Sequence, residues 1–205
     1  MQGKAVVNNI IIVVGIPGSG KSTALAGIEQ ATGARVVSLG TEMAKRAGAD
    51  DRDLLRKDPD AEGKAEKLRR EVLEDVLNSS SDTVIIDTHA LVKTPEGYIS
   101  GFSEGDLKLL NGKVKAIVYV YAEPEKIAER RASDRSRKRD DETTADIAEH
   151  EKRSREFCKA MSDRLGAQMH SIDNTNISMD ETKDKMRAIV KQAVAESKSI
   201  NKTKL

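Results

Sequence analysis

The chain has very few cysteine and aromatic residues. Of its 205 residues one is cysteine, Cys158, none is tryptophan, and Phe, Trp and Tyr together make up 2%. A single cysteine excludes an intramolecular disulfide and a zinc site built from a cysteine cluster, so we expect Cys158 to be a small core residue. The scarcity of aromatic rings leaves aliphatic side chains and methionine to build the core.

Net charge and long apolar runs are also nearly absent. The chain has 35 Lys and Arg against 34 Asp and Glu, for a net charge of +1. Nucleic acid or an acidic membrane would therefore have to be attracted by a local cluster. Apolar runs such as residues 10–14 are much shorter than a membrane span, and we find no targeting segment. We expect a cytoplasmic protein with no membrane partner.

Short apolar runs alternate with helical patterns along the chain. Strands are predicted at residues 10–14, 35–39, 83–87, 115–121 and 167–172, and helices at residues 21–30, 42–47, 61–77, 104–110, 124–134, 144–165 and 179–195. This alternation predicts a single α/β domain with a parallel sheet covered by helices on both faces. Residues 41–78 exceed what one crossover requires and predict an inserted helical lobe. The polar tail at residues 198–205 is expected to fray.

The most specific motif follows the first predicted strand. Residues 15–22 match the phosphate-binding loop G-x-x-x-x-G-K-[ST]. Its glycines let the backbone curl so that several N–H groups point at one polyphosphate, and the helix that follows adds the positive end of its dipole. Lys21 can reach the outer phosphates, and the Ser22 hydroxyl can ligate Mg²⁺. The motif predicts a site for a nucleoside triphosphate.

Two further features indicate phosphoryl transfer. Asp87 ends an apolar run, and an Asp there in phosphate-loop enzymes lies beside the loop and holds Mg²⁺ or its waters. His89 can polarise a phosphate or donate to the backbone. Residues 130–139 hold six basic residues against one acidic residue, which predicts a short lid at residues 134–143 over phosphates. Phosphoryl transfer beneath such a lid needs no general base when the acceptor is an ionised phosphate.

Five motifs occur in a characteristic order. The loop at residues 15–23 is followed by Gly-Thr-Glu-Met at 40–43, Asp-Arg-Asp-Leu-Leu-Arg-Lys at 51–57, Asp-Thr-His-Ala at 87–90 and Lys-Thr-Pro-Glu-Gly-Tyr at 93–98. With these motifs the chain resembles the archaeal adenylate kinase family as far as about Asn174. The resemblance implies a P-loop kinase fold with a five-stranded parallel sheet, an AMP-binding lobe and a short lid. It also implies the conversion of ATP and AMP to two ADP, a requirement for Mg²⁺, and a homotrimer.

The resemblance assigns roles on the ATP side. Arg130 would stack on the adenine, and Asn174 would reach it through the backbone, so that its side chain need not take part. Ser22 and Asp87 would hold Mg²⁺. The residues that would surround the ATP phosphates are Gly15, Ile16, Pro17, Gly18, Ser19, Gly20, Lys21, Ser22 and Thr23.

The resemblance also assigns the acceptor and catalytic residues. Thr41 would lie beside the AMP base, Lys93 would meet the AMP phosphate as a point charge, and Tyr98 belongs to the same site. Arg56 would either contact phosphate or pair with a neighbouring Asp. The catalytic cations would be Lys21, Arg137, Arg139 and Arg155. Arg131, Arg135 and Lys138 are expected to lie on the surface.

Two other functions are compatible with these residues. A kinase of the same fold that acts on shikimate or on a pyrimidine nucleotide would use the same loop. In a nucleotide-gated RNA-binding module, the cluster at residues 130–139 would grip RNA. The near-zero net charge and the shortage of aromatic stacking residues make a nucleic-acid partner the weaker alternative.

Overall fold

The computed structural model of the 205-residue chain describes residues 9–48, 61–94, 97–134 and 142–202. The strands are Asn9–Val14 (β1), Arg35–Ser38 (β2), Thr83–Asp87 (β3), Leu91–Thr94 (β4), Gly97–Ser100 (β5), Val114–Tyr121 (β6) and Gln168–Asp173 (β7). The helices are Lys21–Leu25 (α1), Ile28–Thr32 (α2), Leu39–Arg46 (α3), Ala61–Leu77 (α4), Glu104–Leu110 (α5), Pro124–Ser133 (α6), Thr144–Leu165 (α7) and Met179–Lys202 (α8). None of the helices in these ranges is long and apolar enough to cross a membrane.

Five strands form one parallel sheet in the order β2-β3-β1-β6-β7. The central strand β1 is buried at all six of its positions, as is typical of a parallel strand covered on both faces. The predicted α/β class and the five-stranded parallel sheet are confirmed.

The core has a layer on each face of the sheet. Ile10 and Ile12 of β1 point to the layer that contains Leu73 of α4 and Met161 of α7. Ile11 and Val13 point to the opposite layer, which contains residues of α1, α2 and α8. Successive side chains of a strand point to opposite faces, so a continuous apolar run can fill both layers. The end of β1, where the phosphate-binding loop begins, is therefore held at the centre of the molecule.

The three helices α4, α5 and α7 have the predicted bounds. At the start of α5, Ser103 and Asp106 form a capping box, and Thr143 and Asp146 do the same for α7. These reciprocal bonds satisfy N–H groups that a helix start leaves without partners. Gly166 ends α7 in the left-handed conformation, with φ of 61°.

Other boundaries differ from the prediction. The helix predicted at residues 21–30 is two helices, because Ala26 is extended and Gly27 has φ of 73°. The predicted strand at residues 35–39 ends at Ser38, and α3 begins at Leu39 rather than at residue 42. The last helix continues to Lys202, beyond the predicted end at residue 195. The antiparallel pair of β4 and β5 was not predicted, since its strands are short and half exposed.

Candidate active site

The phosphate-binding loop lies at the carboxyl end of β1, and its backbone is closely packed. Inside the loop the Ser19 amide donates to the Ile16 carbonyl oxygen at 3.1 Å. A Cβ atom on Gly15 would lie 2.3 Å from the Val120 carbonyl oxygen. Gly20 caps α1 with φ of 99°, and a Cβ atom there would lie 1.9 Å from Asn174 Nδ2. A side chain at residue 15 would have to displace the Val120 backbone, and one at residue 20 would displace the Asn174 side chain and strain the left-handed backbone.

Lys21, Asp87 and His89 meet at the mouth of this loop. Lys21 Nζ lies 3.0 Å from the Gly15 carbonyl oxygen and 4.0 Å from Asp87 Oδ1. His89 Nδ1 lies 3.0 Å from the same carbonyl oxygen and 3.4 Å from Lys21 Nζ. A protonated Nδ1 donates to a carbonyl, so this geometry is the backbone contact that the sequence left as one of two options. The convergence arises because Asp87 is in register with Val13, at the end of the neighbouring strand.

The oxygen groups beside Lys21 suit Mg²⁺. The ion prefers oxygen ligands and commonly takes only one or two from the protein, with water and phosphate oxygens completing its shell. Asp87 offers a carboxylate whose side chain is 24% exposed, and Ser22 offers a hydroxyl at the start of α1. In the part of the chain that the structure describes, no group of three or more His, Cys, Asp or Glu could hold a metal ion. The residues thus fit a metal that arrives with a phosphate ligand.

Asn174 contacts three elements, two through its side chain and one through its backbone carbonyl. Its Nδ2 donates to the Ser19 carbonyl oxygen at 2.9 Å, and its Oδ1 accepts from Thr182 Oγ1 of α8 at 2.8 Å. Its own carbonyl oxygen accepts from Arg130 Nη2 at 2.6 Å. The expected contact of the Asn174 backbone with the adenine stays a prediction, but its side chain holds the loop and α8 together, a structural role that was not predicted. The sequence carries no signal for these contacts, because Ser19 is 155 positions away.

Arg131 also departs from the expectation that it lies on the surface. Its side chain is only 9% exposed. Nε donates to the Pro17 carbonyl oxygen at 2.8 Å, and Nη1 pairs with the carboxylate of Glu142. Arg130, its neighbour on α6, reaches within 3.4 Å of the Gly18 carbonyl oxygen. The first two residues of the basic run thus contact backbone carbonyl groups of the phosphate-binding loop.

Two of the predicted acceptor residues lie on the β4–β5 hairpin, beside α7. Lys93 and Tyr98 are directly opposite each other in the hairpin register. Lys93 Nζ lies 2.9 Å from Glu142 Oε1 and 3.4 Å from Asp146 Oδ1. The hydrogen bond to Glu142 is the main reason that the pKa of Lys93 is raised. Neither carboxylate was predicted to belong to the site, because neither is part of a motif.

The ring of Tyr98 contacts two side chains of α7, His150 and Arg153. Its ring centroid is 5.0 Å from that of His150, and the guanidinium carbon of Arg153 lies 5.4 Å from the Tyr98 centroid. Burial lowers the pKa of His150, and its Nε2 lies 3.3 Å from the Leu91 carbonyl oxygen. A neutral imidazole with a proton on Nε2 satisfies this contact. Thr41, on α3, donates to Ser38 Oγ at 3.0 Å.

The predicted catalytic residue Arg155 lies on α7. Its guanidinium carbon lies 4.2 Å from the ring centroid of Tyr121, and its Nη2 lies 3.7 Å from Glu151 Oε1. These contacts are with β6 and with its own helix. Arg56, Arg137 and Arg139 lie outside the described residues, as do residues 49–60 of the predicted lobe and 135–141 of the predicted lid.

Sequence comparisons find similar proteins over most of the chain. A family model described as an AAA domain matches residues 14–148. The adenylate kinase of Thermoplasma acidophilum is 33% identical over 80% of this chain and 88% of its own length. The adenylate kinase of Thermoplasma volcanium is 34% identical over 88% of this chain and 98% of its own length. That of Methanocaldococcus jannaschii is 34% identical over 90% of this chain and 99% of its own length.

Solved structures of other kinases share the fold at low sequence identity. Shikimate kinase from Acinetobacter baumannii in complex with shikimate aligns with a TM-score of 0.64 at 16% identity, covering 94% of this chain and 96% of its own. A gluconokinase from Sinorhizobium meliloti aligns with a TM-score of 0.55 at 14% identity, covering 97% and 98%. At these identities the likeness shows the fold alone.

Proposed function

Because this chain belongs to the archaeal adenylate kinase family, we propose that it catalyses the reversible transfer of the terminal phosphoryl group from MgATP to AMP, giving two ADP. The observation that carries the proposal is a complete phosphate-binding loop with Lys21 beside Asp87, in a chain that aligns over almost the whole length of adenylate kinases. The assignment of ATP and AMP as substrates rests on the names of those relatives.

The donor half of the site works by charge and position. Lys21 would exchange its contact with the Gly15 carbonyl for the outer phosphates of ATP, since an ammonium is attracted more strongly to phosphate than to a neutral carbonyl. Ser22 and Asp87 would hold Mg²⁺, which when bound neutralises charge on the phosphates. Residues 15–23 would supply amide donors, and Arg130, fixed by Asn174, would lie beside the adenine.

The acceptor half would receive AMP between the hairpin and α3. Lys93 would bind the phosphate, while Tyr98 and Thr41 would border the nucleoside. The AMP phosphate is already ionised, so the chemical step needs alignment and charge neutralisation rather than a general base. Arg56, Arg137, Arg139 and Arg155 are proposed to add positive charge on closure, and the contacts of Arg155 with Tyr121 would have to change for it to do so.

The proposed reaction is tested by measuring ATP consumption with AMP, CMP, UMP, GMP and shikimate as alternative acceptors, with and without Mg²⁺. We expect turnover with AMP to exceed turnover with the others. Turnover with shikimate or a pyrimidine nucleotide instead would favour the alternative kinase function. No turnover with any of these acceptors would refute the proposed kinase activity.

Lys21 provides the matching variant. Replacement by methionine keeps the length of the side chain and removes its charge, and should lower kcat by about a thousandfold or more. Lys159→Met is the control, because Lys159 is an exposed residue of α7 paired with Asp163. Similar kcat values for the two variants would show that the donor site has been placed wrongly.

The proposed assembly rests on the family resemblance, and the proposed location rests on the expectation from the sequence. We propose a homotrimer in the cytoplasm, and light scattering after size-exclusion chromatography measures the number of subunits directly. A monomer or a dimer in that measurement would contradict the proposed assembly without affecting the proposed reaction.

A further inference from the structure

The carboxylate of Glu142 connects the two halves of the proposed site. One of its oxygens, Oε1, lies 2.9 Å from Lys93 Nζ, on the acceptor side. The other, Oε2, pairs with Nη1 of Arg131, whose Nε donates to the Pro17 carbonyl oxygen at 2.8 Å. A chain of polar contacts thus runs from the phosphate-binding loop to the lysine that would bind the acceptor phosphate.

Glu142 is an anion in this position. Burial opposes its ionisation, but the hydrogen bond from Lys93 and the charge of Arg131 outweigh burial and lower the pKa of Glu142. Its side chain is 18% exposed, and that of Arg131 is 9% exposed, so solvent screens this pair less than a surface ion pair. Lys93 also lies 3.4 Å from Asp146 Oδ1. With two carboxylates in contact, Lys93 has little net attraction for another anion until one of them leaves.

We propose that Glu142 is a positioning residue that occupies the place of the acceptor phosphate on Lys93 and is displaced from it when the phosphorylated acceptor binds. The proposal rests on the proposed function, in which Lys93 binds the AMP phosphate. A carboxylate and a phosphate oxygen seek the same ammonium donors, and their like charges repel at short range. The two groups therefore exchange on Lys93, while Arg131 retains Glu142 beside the loop.

The exchange has a consequence for specificity. A phosphate can replace the carboxylate because it brings charge of the same sign to Lys93, whereas a neutral nucleoside cannot. An acceptor without a phosphate would thus leave Lys93 paired with Glu142. The ion pair lowers the affinity for AMP, and in return only an anionic acceptor releases Lys93 for the reaction.

The first test is Glu142→Gln, which removes the charge and keeps the shape. The KM for AMP should fall about tenfold, which corresponds to the loss of one partly screened ion pair, and the KM for ATP should stay within about twofold. Calorimetry without ATP should show the same gain for AMP and no gain for adenosine. Glu104→Gln is the control, because it removes another Glu–Arg pair, with Arg164, on exposed side chains of α5 and α7. This control should change none of these values.

The second test separates exchange on Lys93 from a structural role of Glu142. Lys93→Ala should weaken AMP binding, and most of the gain from Glu142→Gln should disappear when it is combined with Lys93→Ala. Glu142→Asp keeps the charge and should leave the affinity for AMP close to that of the wild type. An equal gain with and without Lys93, or weaker AMP binding in both Glu142 variants, would overturn the proposal.

The failure of this proposal can be distinguished from failure of the proposed function. If the wild-type enzyme forms no ADP from ATP and AMP, the assigned reaction is wrong and the exchange fails with it. If the wild-type enzyme forms ADP and Glu142→Gln does not tighten AMP binding, only the exchange is wrong.

Discussion

Replacement of Asn174 by alanine should loosen the ATP side of the site and destabilise the fold. Asn174 is 5% exposed, and its amide group bonds to Ser19 of the phosphate-binding loop and to Thr182 of α8. Alanine removes both bonds. Thr182 can then donate its single hydroxyl proton to the Ser178 carbonyl oxygen, which lies 2.9 Å from Oγ1.

The expected loss of stability depends on the hydrogen bonds that Asn174→Ala removes and on the buried polar groups that then lack a partner. Each lost hydrogen bond costs about 1 kcal/mol, and a buried group without a partner costs about 1–3 kcal/mol. The Ser19 carbonyl would lose its 2.9 Å bond and keep the long contact with Arg130 Nη1, at 3.5 Å. We therefore expect the free energy of unfolding to fall by about 2 kcal/mol, which lowers Tm by about 4–8 °C for a domain of this size.

Urea denaturation and thermal melting measure this change in stability, and steady-state kinetics measure the change in the KM values for ATP and AMP. The KM for ATP should rise about three- to tenfold, because the loop is less well positioned, while the KM for AMP should change much less. Asn176→Ala is the matched control: Asn176 lies in the same loop and is exposed, so its replacement should change stability by less than about 0.5 kcal/mol. Equal effects of the two substitutions would refute the structural role of the Asn174 side chain.

Two further predictions concern the core. Asp106 is fully buried and accepts from Arg69 Nε at 2.6 Å. Asp106→Asn should lower the free energy of unfolding by about 3 kcal/mol, because it leaves a largely buried guanidinium without its counter-ion. A urea midpoint equal to that of the wild type would contradict this prediction. Cys158 is fully buried, and burial raises the pKa of its thiol to about 12. Since the thiolate is the reactive form, a thiol reagent at neutral pH should label Cys158 only as fast as the protein opens. Immediate labelling of the native protein would contradict this prediction.

Local patterns in the sequence predicted most of the fold. The apolar run of β1 followed by G-x-x-x-x-G-K-[ST] indicated the loop and the start of α1 at Lys21, and the capped helices α5 and α7 have the predicted bounds. These features depend on residues close together in the chain, whose periodicity and capping bonds are visible in the sequence. The predictions missed the hairpin of β4 and β5, whose half-exposed short strands lack a clear alternation.

Within the candidate site, the sequence by itself determined which chemical groups surround the phosphate-binding loop, because loop, strand end and helix start are consecutive or paired in register. Only the tertiary structure decided that the Asn174 side chain holds the loop, that Arg131 is buried against Pro17, and that Glu142 lies on Lys93. Each of these contacts joins residues from distant parts of the chain. A contact of that kind depends on how whole elements pack together, and packing is set by the shape of the complete core rather than by the residues near either partner.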